Sequence, residues 1–279
     1  MKEKVTYIIG AGFSAPLGLP VMSNFLIKSK DLYFSNPDGY SHFKKVLDTI
    51  NSLSFTKNYY NTDLFNIEEI LSIIEMQSFL EGTGLNEEFI KYIIDVIQAY
   101  TPEQITPKLS PEQDMGNWYD FVFGNEGIHS NYGFLVGNLF NLEFRKTNNR
   151  PSGPPIIHHA SRRRNPQYEY AVISLNYDLI LENICDFVNN NYKTETNIQF
   201  NKEAYGPDWS SPPLCKLHGS VDTENIIPPT WAKGQHGEIV PTWKNAYQVL
   251  KDSNHIRFLG YSLPITDTYI KFLLKSSIL

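Results

Sequence analysis

Cysteine is nearly absent. Cys185 and Cys215 are the only two in 279 residues, and they form no CxxC pair. That excludes a disulfide-built scaffold and a four-cysteine zinc module, and it fits a reducing compartment. Long apolar runs are missing as well. All fall far short of the ~20 residues needed to span a bilayer. The N-terminal residues lack the apolar segment and cleavage site of a signal peptide. A cytoplasmic protein with no membrane partner is therefore expected. Basic charge is also scarce: 24 Lys and Arg stand against 30 Asp and Glu, a net charge of −6. Direct nucleic-acid binding is not expected of such a chain. The one basic cluster, Arg162-Arg163-Arg164, reads as a solvated loop or helix end. The seven histidines form no ligand pattern such as HExxH, so no metal is expected.

What is present suffices for a sizeable core, with 41% hydrophobic and 14% aromatic residues. Val5-Thr6-Tyr7-Ile8-Ile9 is short and β-rich and runs into glycines, the pattern of a buried parallel strand. A helix is predicted from about Met22 to Leu32. Asn66-Ile67-Glu68-Glu69 resembles a capped helix start, followed by Ile67, Ile70, Leu71 and Ile74 at helical spacing. Asn86 is placed to cap another helix, with Glu87 and Glu88 in its first turn and an apolar stripe of Phe89, Ile90, Ile93, Ile94 and Ile97. A third helix is expected between Asn131 and Phe144. Residues 35–165 thus read as a mostly helical insertion, a lid or assembly module, between core segments 1–34 and 166–279.

Strands return at Tyr170–Leu175, Leu214–Leu217 and His255–Leu259, and Thr266 is placed to cap a last helix. The expected fold is α/β: a Rossmann-like parallel sheet with helices on both faces, and the large insertion after the first strand–helix unit. Ligands of such sheets bind at the carboxyl ends of strands. Here the strands end in Gly10-Ala11-Gly12, Asn176-Tyr177-Asp178, His218-Gly219-Ser220 and Gly260-Tyr261-Ser262. Four polar or small endings point to one crevice.

The residues at those ends have chemistry to offer. Gly10-Ala11-Gly12-Phe13-Ser14-Ala15 has the form GxGxxA, in which glycines admit a pyrophosphate to the backbone and the following helix offers its positive end. A hydride-transfer dehydrogenase places an acid about 20 residues on, after a second strand. Asp31 has that spacing, but Ile27-Lys28-Ser29-Lys30 is no buried strand. Asn176 and Asp178 read either as helix caps or as groups for a sugar hydroxyl, a water or a carboxamide. His218 reads either as a structural residue or as a proton-transfer group. Ile227-Pro228-Pro229-Thr230-Trp231 is a stiff loop that suits core packing or a lid.

Taken in order, these segments resemble a family. Gly10-Ala11-Gly12-Phe13-Ser14 with Gly18-Leu19-Pro20, then Asn176-Tyr177-Asp178, His218-Gly219 and Gly260-Tyr261-Ser262, look like the ordered elements of sirtuins. The fuller forms NYDLILE, KLHGS, PPTW and GYSLPxTD are similar to bacterial sirtuin-like NAD hydrolases of anti-phage defence. The resemblance implies NAD as substrate, with Gly10, Ala11, Gly12, Phe13 and Ser14 at the phosphates and adjoining ribose. It implies Asn176 orienting the ribose or water, Asp178 at the carboxamide, and His218 as base with Gly219 and Ser220 beside it. Gly260 and Ser262 would hold the adenosine half. Two cysteines cannot build the zinc module of deacylating sirtuins, Leu175 stands where they carry Gln, and Gly18-Leu19-Pro20-Val21-Met22-Ser23 replaces their GIPDFR. The implied activity is therefore NAD cleavage to nicotinamide and ADP-ribose. A deacylase or ADP-ribosyltransferase, and a non-catalytic NAD or ADP-ribose sensor, are the alternatives. The apolar run from Phe272 to Leu279 further suggests a chain that works beside other parts, as a homo-oligomer or with a fused or associated sensor.

Overall fold

The computed structural model describes residues 2–54, 66–82, 85–102, 128–147, 157–191, 193–194, 197–203, 205–223, 225–226, 237–264 and 267–278. The loop Ile227–Trp231, the cap Thr266 and His236 lie outside these residues. The first strand, β1 (Glu3–Ile9), leads into one turn of helix, α1 (Ala11–Ser14), and then α2 (Phe25–Ser35). Helices α3 (Phe43–Ser54), α4 (Ile67–Glu81), α5 (Leu85–Tyr100) and α6 (Ile128–Leu139) follow. Strands β2 (Leu142–Thr147), β3 (Ile157–Arg162) and β4 (Tyr168–Ser174) precede α7 (Ile180–Asn191), β5 (Lys193–Thr194) and β6 (Leu214–Lys216). A small antiparallel pair, β7 (Gly219–Ser220) and β8 (Asn225–Ile226), precedes α8 (Val240–Asp252), β9 (His255–Leu259) and α9 (Thr268–Ile278).

The fold is the expected α/β class. Strands β6-β4-β1-β9 form one parallel sheet. Its two faces are covered by different helices, as period-2 alternation requires. Ile9, Val172 and Leu214 pack with α7 and the inserted helices. Ile8, Ile173 and Cys215 pack with Ala246, Val249 and Leu250 of α8 and Ile270 of α9. Strand β9 pairs with β1 and has an exposed outer side, where Phe258 is 43% accessible.

The helix signals of the insertion hold at α4 and α5. Asn66 Oδ1 accepts from Glu69 N at 3.1 Å, capping α4, and Ile67, Ile70, Leu71 and Ile74 are all buried. Glu87 and Glu88 lie in the first turn of α5, but the helix begins at Leu85, so Asn86 lies inside that turn and not at its cap. Elsewhere the expectation fails. The third helix does not reach Phe144: α6 stops at Leu139, Asn141 takes a left-handed φ of 53°, and Leu142 starts a strand. Asparagine tolerates that conformation, so it ends the helix. A second sheet, β2-β3-β5, therefore lies partly within what reads as helical sequence. The first long helix begins at Phe25 rather than Met22, after a 3₁₀ turn over Met22–Asn24.

Among the described residues the insertion has no core of its own. One hydrophobic cluster runs from Ile9 and Phe13 through Phe43, Ile74 and Tyr92 to Val172 and Ile184. Tyr92 donates to Ser29 Oγ at 2.5 Å, and Tyr100 donates to the Lys28 carbonyl at 3.1 Å, fastening α5 to α2. Ile74→Ala in α4 should therefore weaken the whole molecule by about 2–5 kcal/mol, the usual cost of such a cavity. Denaturant unfolding followed by far-UV and near-UV dichroism should give one shared, shifted transition. Two separate transitions would show an independent insertion.

Candidate functional site

Register brings the sequence motifs together. Ile9 lies beside both Ser174 and Leu259, and Ser174 lies beside Lys216, so four parallel strands end level. The ladder closes with Leu175 N to Ile9 O at 3.0 Å, Leu217 N to Ser174 O at 2.9 Å and Gly10 N to Leu259 O at 3.1 Å. The residues just beyond are Asn176, His218, Ala11 and Gly260. The chain runs β1, β4, β6 in one direction and then returns to β9 on the other side of β1. That reversal between β1 and β9 is the switch point at which such sheets open a crevice.

A cavity of about 380 Å³ lies there. Gly10, Ala11, Gly12, Ser14, Asn176, Asp178, His218, Gly260 and Ser262 all line it. Phe13, Gly219 and Ser220 do not. Phe13 is 8% exposed and packs edge-on against Tyr132 at 5.0 Å, and Tyr132 donates to the Phe13 carbonyl. Ser220 Oγ lies behind the site, bonded to Lys216 at 2.7 Å. Asp31 sits exposed on α2, away from the cavity. Of the two strands beside β1, β4 arrives only after the insertion, and Asp178 lies shortly beyond its end.

The polar wall is a single hydrogen-bonded chain. Asn176 Nδ2 donates to the Gly10 carbonyl at 3.0 Å and to Ser14 Oγ at 3.1 Å. Ser14 Oγ donates to Asp178 Oδ2 at 2.6 Å, and Asp178 Oδ1 accepts from Ile180 N at 3.1 Å. Because the Gly10 carbonyl can only accept, it fixes which way the Asn176 amide faces. Asn176 Oδ1 is left as the amide atom for a ligand. Asp178 thereby satisfies the first N–H of α7, as its helix-cap reading requires. Burial pushes its carboxyl above the usual range, against the pull of Ser14, Ile180 N–H and Lys216.

His218 and Asn176 are 3% and 7% exposed. Both are thus buried rather than solvent-facing at their strand ends. Ile67 and Leu71 of α4 and Ile93 and Ile97 of α5 form the opposite, apolar wall. The His218 ring lies 6.0 Å from that of Tyr177. Both thiols are poor nucleophiles: burial pushes Cys185 well up and Cys215 to about 12. Among the described residues no cluster of three metal-ligating side chains occurs, and no helix is long and apolar enough to cross a membrane.

The glycines have a structural reason that the motif alone does not reveal. Gly12 N donates to the Gly260 carbonyl at 2.9 Å. A Cβ on Gly12 would stand 2.8 Å from that oxygen, and one on Gly260 would stand 1.9 Å from Phe13 N. Gly260 also has φ +61°. The Gly12 N–H is thus already committed to protein, and α1 is a single turn, not a long helix with a strong positive end. Sequence reasoning also missed Tyr261 and Asp267. Tyr261 donates to Asp267 Oδ2 at 2.5 Å, while Asp267 Oδ1 accepts from Ile270 N at 3.3 Å at the start of α9. Both line the cavity. Asp267 was legible in principle as an acid just ahead of an apolar helical run. No protein-family model matches the chain, and no curated protein matches it.

Two predictions follow from this geometry. Gly260→Ala should cost clearly more than the ~1–2 kcal/mol of a left-handed residue alone, because its Cβ meets backbone; urea midpoints of purified variants check this. The second concerns Asp178. Its folded-state value is raised, so its contribution is full below the ordinary value of 3.8 and is lost as pH rises through the folded value. Relative to Asp178→Asn, the parent should lose stability from about pH 4 upward. Unfolding free energies of both proteins across that range test it, and a pH-independent difference would refute it.

Proposed function

We propose that the chain is an NAD glycohydrolase, cleaving NAD⁺ with water to nicotinamide, ADP-ribose and a proton. The observation that carries this reading is the shared cavity. Segments that resemble four sirtuin elements, scattered from Gly10 to Ser262, line it together. An NAD-consuming effector of bacterial defence is the biological role this reading favours.

The chemistry asks little beyond positioning. The glycosidic bond to a cationic pyridinium is already weak, and its cleavage develops oxocarbenium character on the ribose. Asn176 Oδ1, held by the bonds of its amide nitrogen to Gly10 and Ser14, is suited to a ribose hydroxyl or the attacking water. Asp178 has a donor on each oxygen, and its remaining lone pairs suit a carboxamide NH₂. His218 is the candidate base for the ribose hydroxyl or water. The apolar wall of α4 and α5 limits access of bulk water, which strengthens each of these contacts. The glycine segment and Gly260–Ser262 would take the rest of the dinucleotide across the switch point.

His218→Asn should lower the rate of NAD cleavage by about 10²–10⁴-fold, the usual loss for a positioned acid–base group. NAD affinity should stay within about tenfold, since one hydrogen bond is worth ~0.5–1.5 kcal/mol. Asn176→Ala should also stop turnover. It should cost ~0.5–1.5 kcal/mol of stability for each amide bond lost, while the Gly10 carbonyl keeps Phe13 N and Ser14 Oγ keeps Asp178. Single-turnover chromatography of NAD and calorimetric binding measure both. If the parent binds NAD and releases no nicotinamide, with or without an acylated peptide, the site is a sensor and the hydrolase reading is wrong.

A further inference from the structure

Lys216 is the last residue of β6 and is 9% exposed. Its Nζ donates to the Asp178 carbonyl at 2.6 Å, to Ser220 Oγ at 2.7 Å and to the Tyr177 carbonyl at 3.3 Å, with Glu182 Oε1 at 3.5 Å. One ammonium thereby joins the two chain segments that carry the polar groups of the cavity. Tyr177 and Asp178 directly follow Asn176; Ser220 lies two residues beyond His218. We infer that Lys216 is a positioning residue, which fixes the Asn176–Asp178 segment against the His218 turn. This rests on the reading of the cavity as an NAD-cleaving site.

A buried ammonium is a poor choice for stability alone. Burial disfavours its charge and lowers its pKa, although Glu182 and Asp178 oppose this. An apolar residue of similar length would fill the space at no such cost. What an apolar residue cannot do is hold two main-chain carbonyls and a hydroxyl at set distances. A neutral tie joins the same segments, Val221 N to Tyr177 O at 3.1 Å. A ribose held between Asn176 and His218 needs their separation fixed, because a misplacement of about 1 Å can cost about a hundredfold in rate.

The test uses Lys216→Met, Lys216→Arg and Ser220→Ala in the full chain, measuring kcat and KM for NAD and amide exchange at Val221. Lys216→Met should lower kcat about 10–100-fold with KM within about threefold, and Val221 should exchange faster. Lys216→Arg should recover part of the rate, and Ser220→Ala, which removes one of the contacts, should lose less than the Met variant. Parental kcat and exchange in Lys216→Met would overturn the inference while leaving the hydrolase reading intact. If Lys216→Met does not fold, parental kcat in Ser220→Ala overturns it. If the parent itself releases no nicotinamide, the hydrolase reading falls. Exchange at Val221 then decides: faster exchange supports the strut, and unchanged exchange removes it.

Discussion

Two stretches of backbone meet with no side chain between them at Gly12 and Gly260. The Gly12 N–H donates to the Gly260 carbonyl, and Gly260 lies close enough to Phe13 that neither glycine has room for a Cβ. This contact brings the end of β9 against the end of β1, across the point where strand order reverses. Gly10 closes the same seam through its N–H to Leu259. The crevice is narrow because these glycines allow it to be. A phosphate-binding role for the segment must therefore rely on donors other than the Gly12 N–H, such as that of Ala11 or side chains. The glycine pattern is the same under either role, which is why the motif alone cannot separate them.

A second constraint is polar. Asn176, Ser14 and Asp178 make a buried chain that ends on a helix N-terminus, and each group in it is satisfied by the next. Buried polar chains of this kind are rigid when complete and costly when broken. The core could have been built more stably from apolar residues here. Instead it carries an amide, a hydroxyl, a carboxylate, an imidazole and an ammonium within a few residues of the strand ends, and the proposed function rests on that concentration of polar groups.

Much of this was legible in the sequence. The strands are short apolar runs stopped by glycine or by polar residues, and β9 matches its expected span residue for residue. The strand endings predicted one crevice because parallel strands in register must end on one side. Other features were not legible. The misread end of α6 turned on a single left-handed asparagine, which helical periodicity does not encode. Spacing from the first glycine turn could not point to Asp178, because more than 150 residues separate β1 from β4. Phe13 was grouped with its glycine neighbours, but an aromatic side chain on a one-turn helix goes to the core. Lys216 was hidden because a lysine one residue past an apolar pair gives no sign of burial; only pairing β4 with β6 brings it under Asp178.

The inserted helices decide how the cavity behaves. Their apolar faces do two things at once. Ile67, Leu71, Ile93 and Ile97 belong to the main hydrophobic cluster and also line the cavity. A lid hinged on its own small core could swing open at little cost. A wall that is continuous with the main core cannot, because opening it would expose buried isoleucine and leucine to water at roughly 25 cal/mol per Å². Tyr92, Tyr100 and Tyr132 add polar ties from these helices to α2 and to the Phe13 carbonyl. Access to His218 and Asn176 is then linked to the stability of the α4–α5 pair. Any event that loosens that pair would expose the polar wall, and any ligand that fills the cavity would tighten it by mass action.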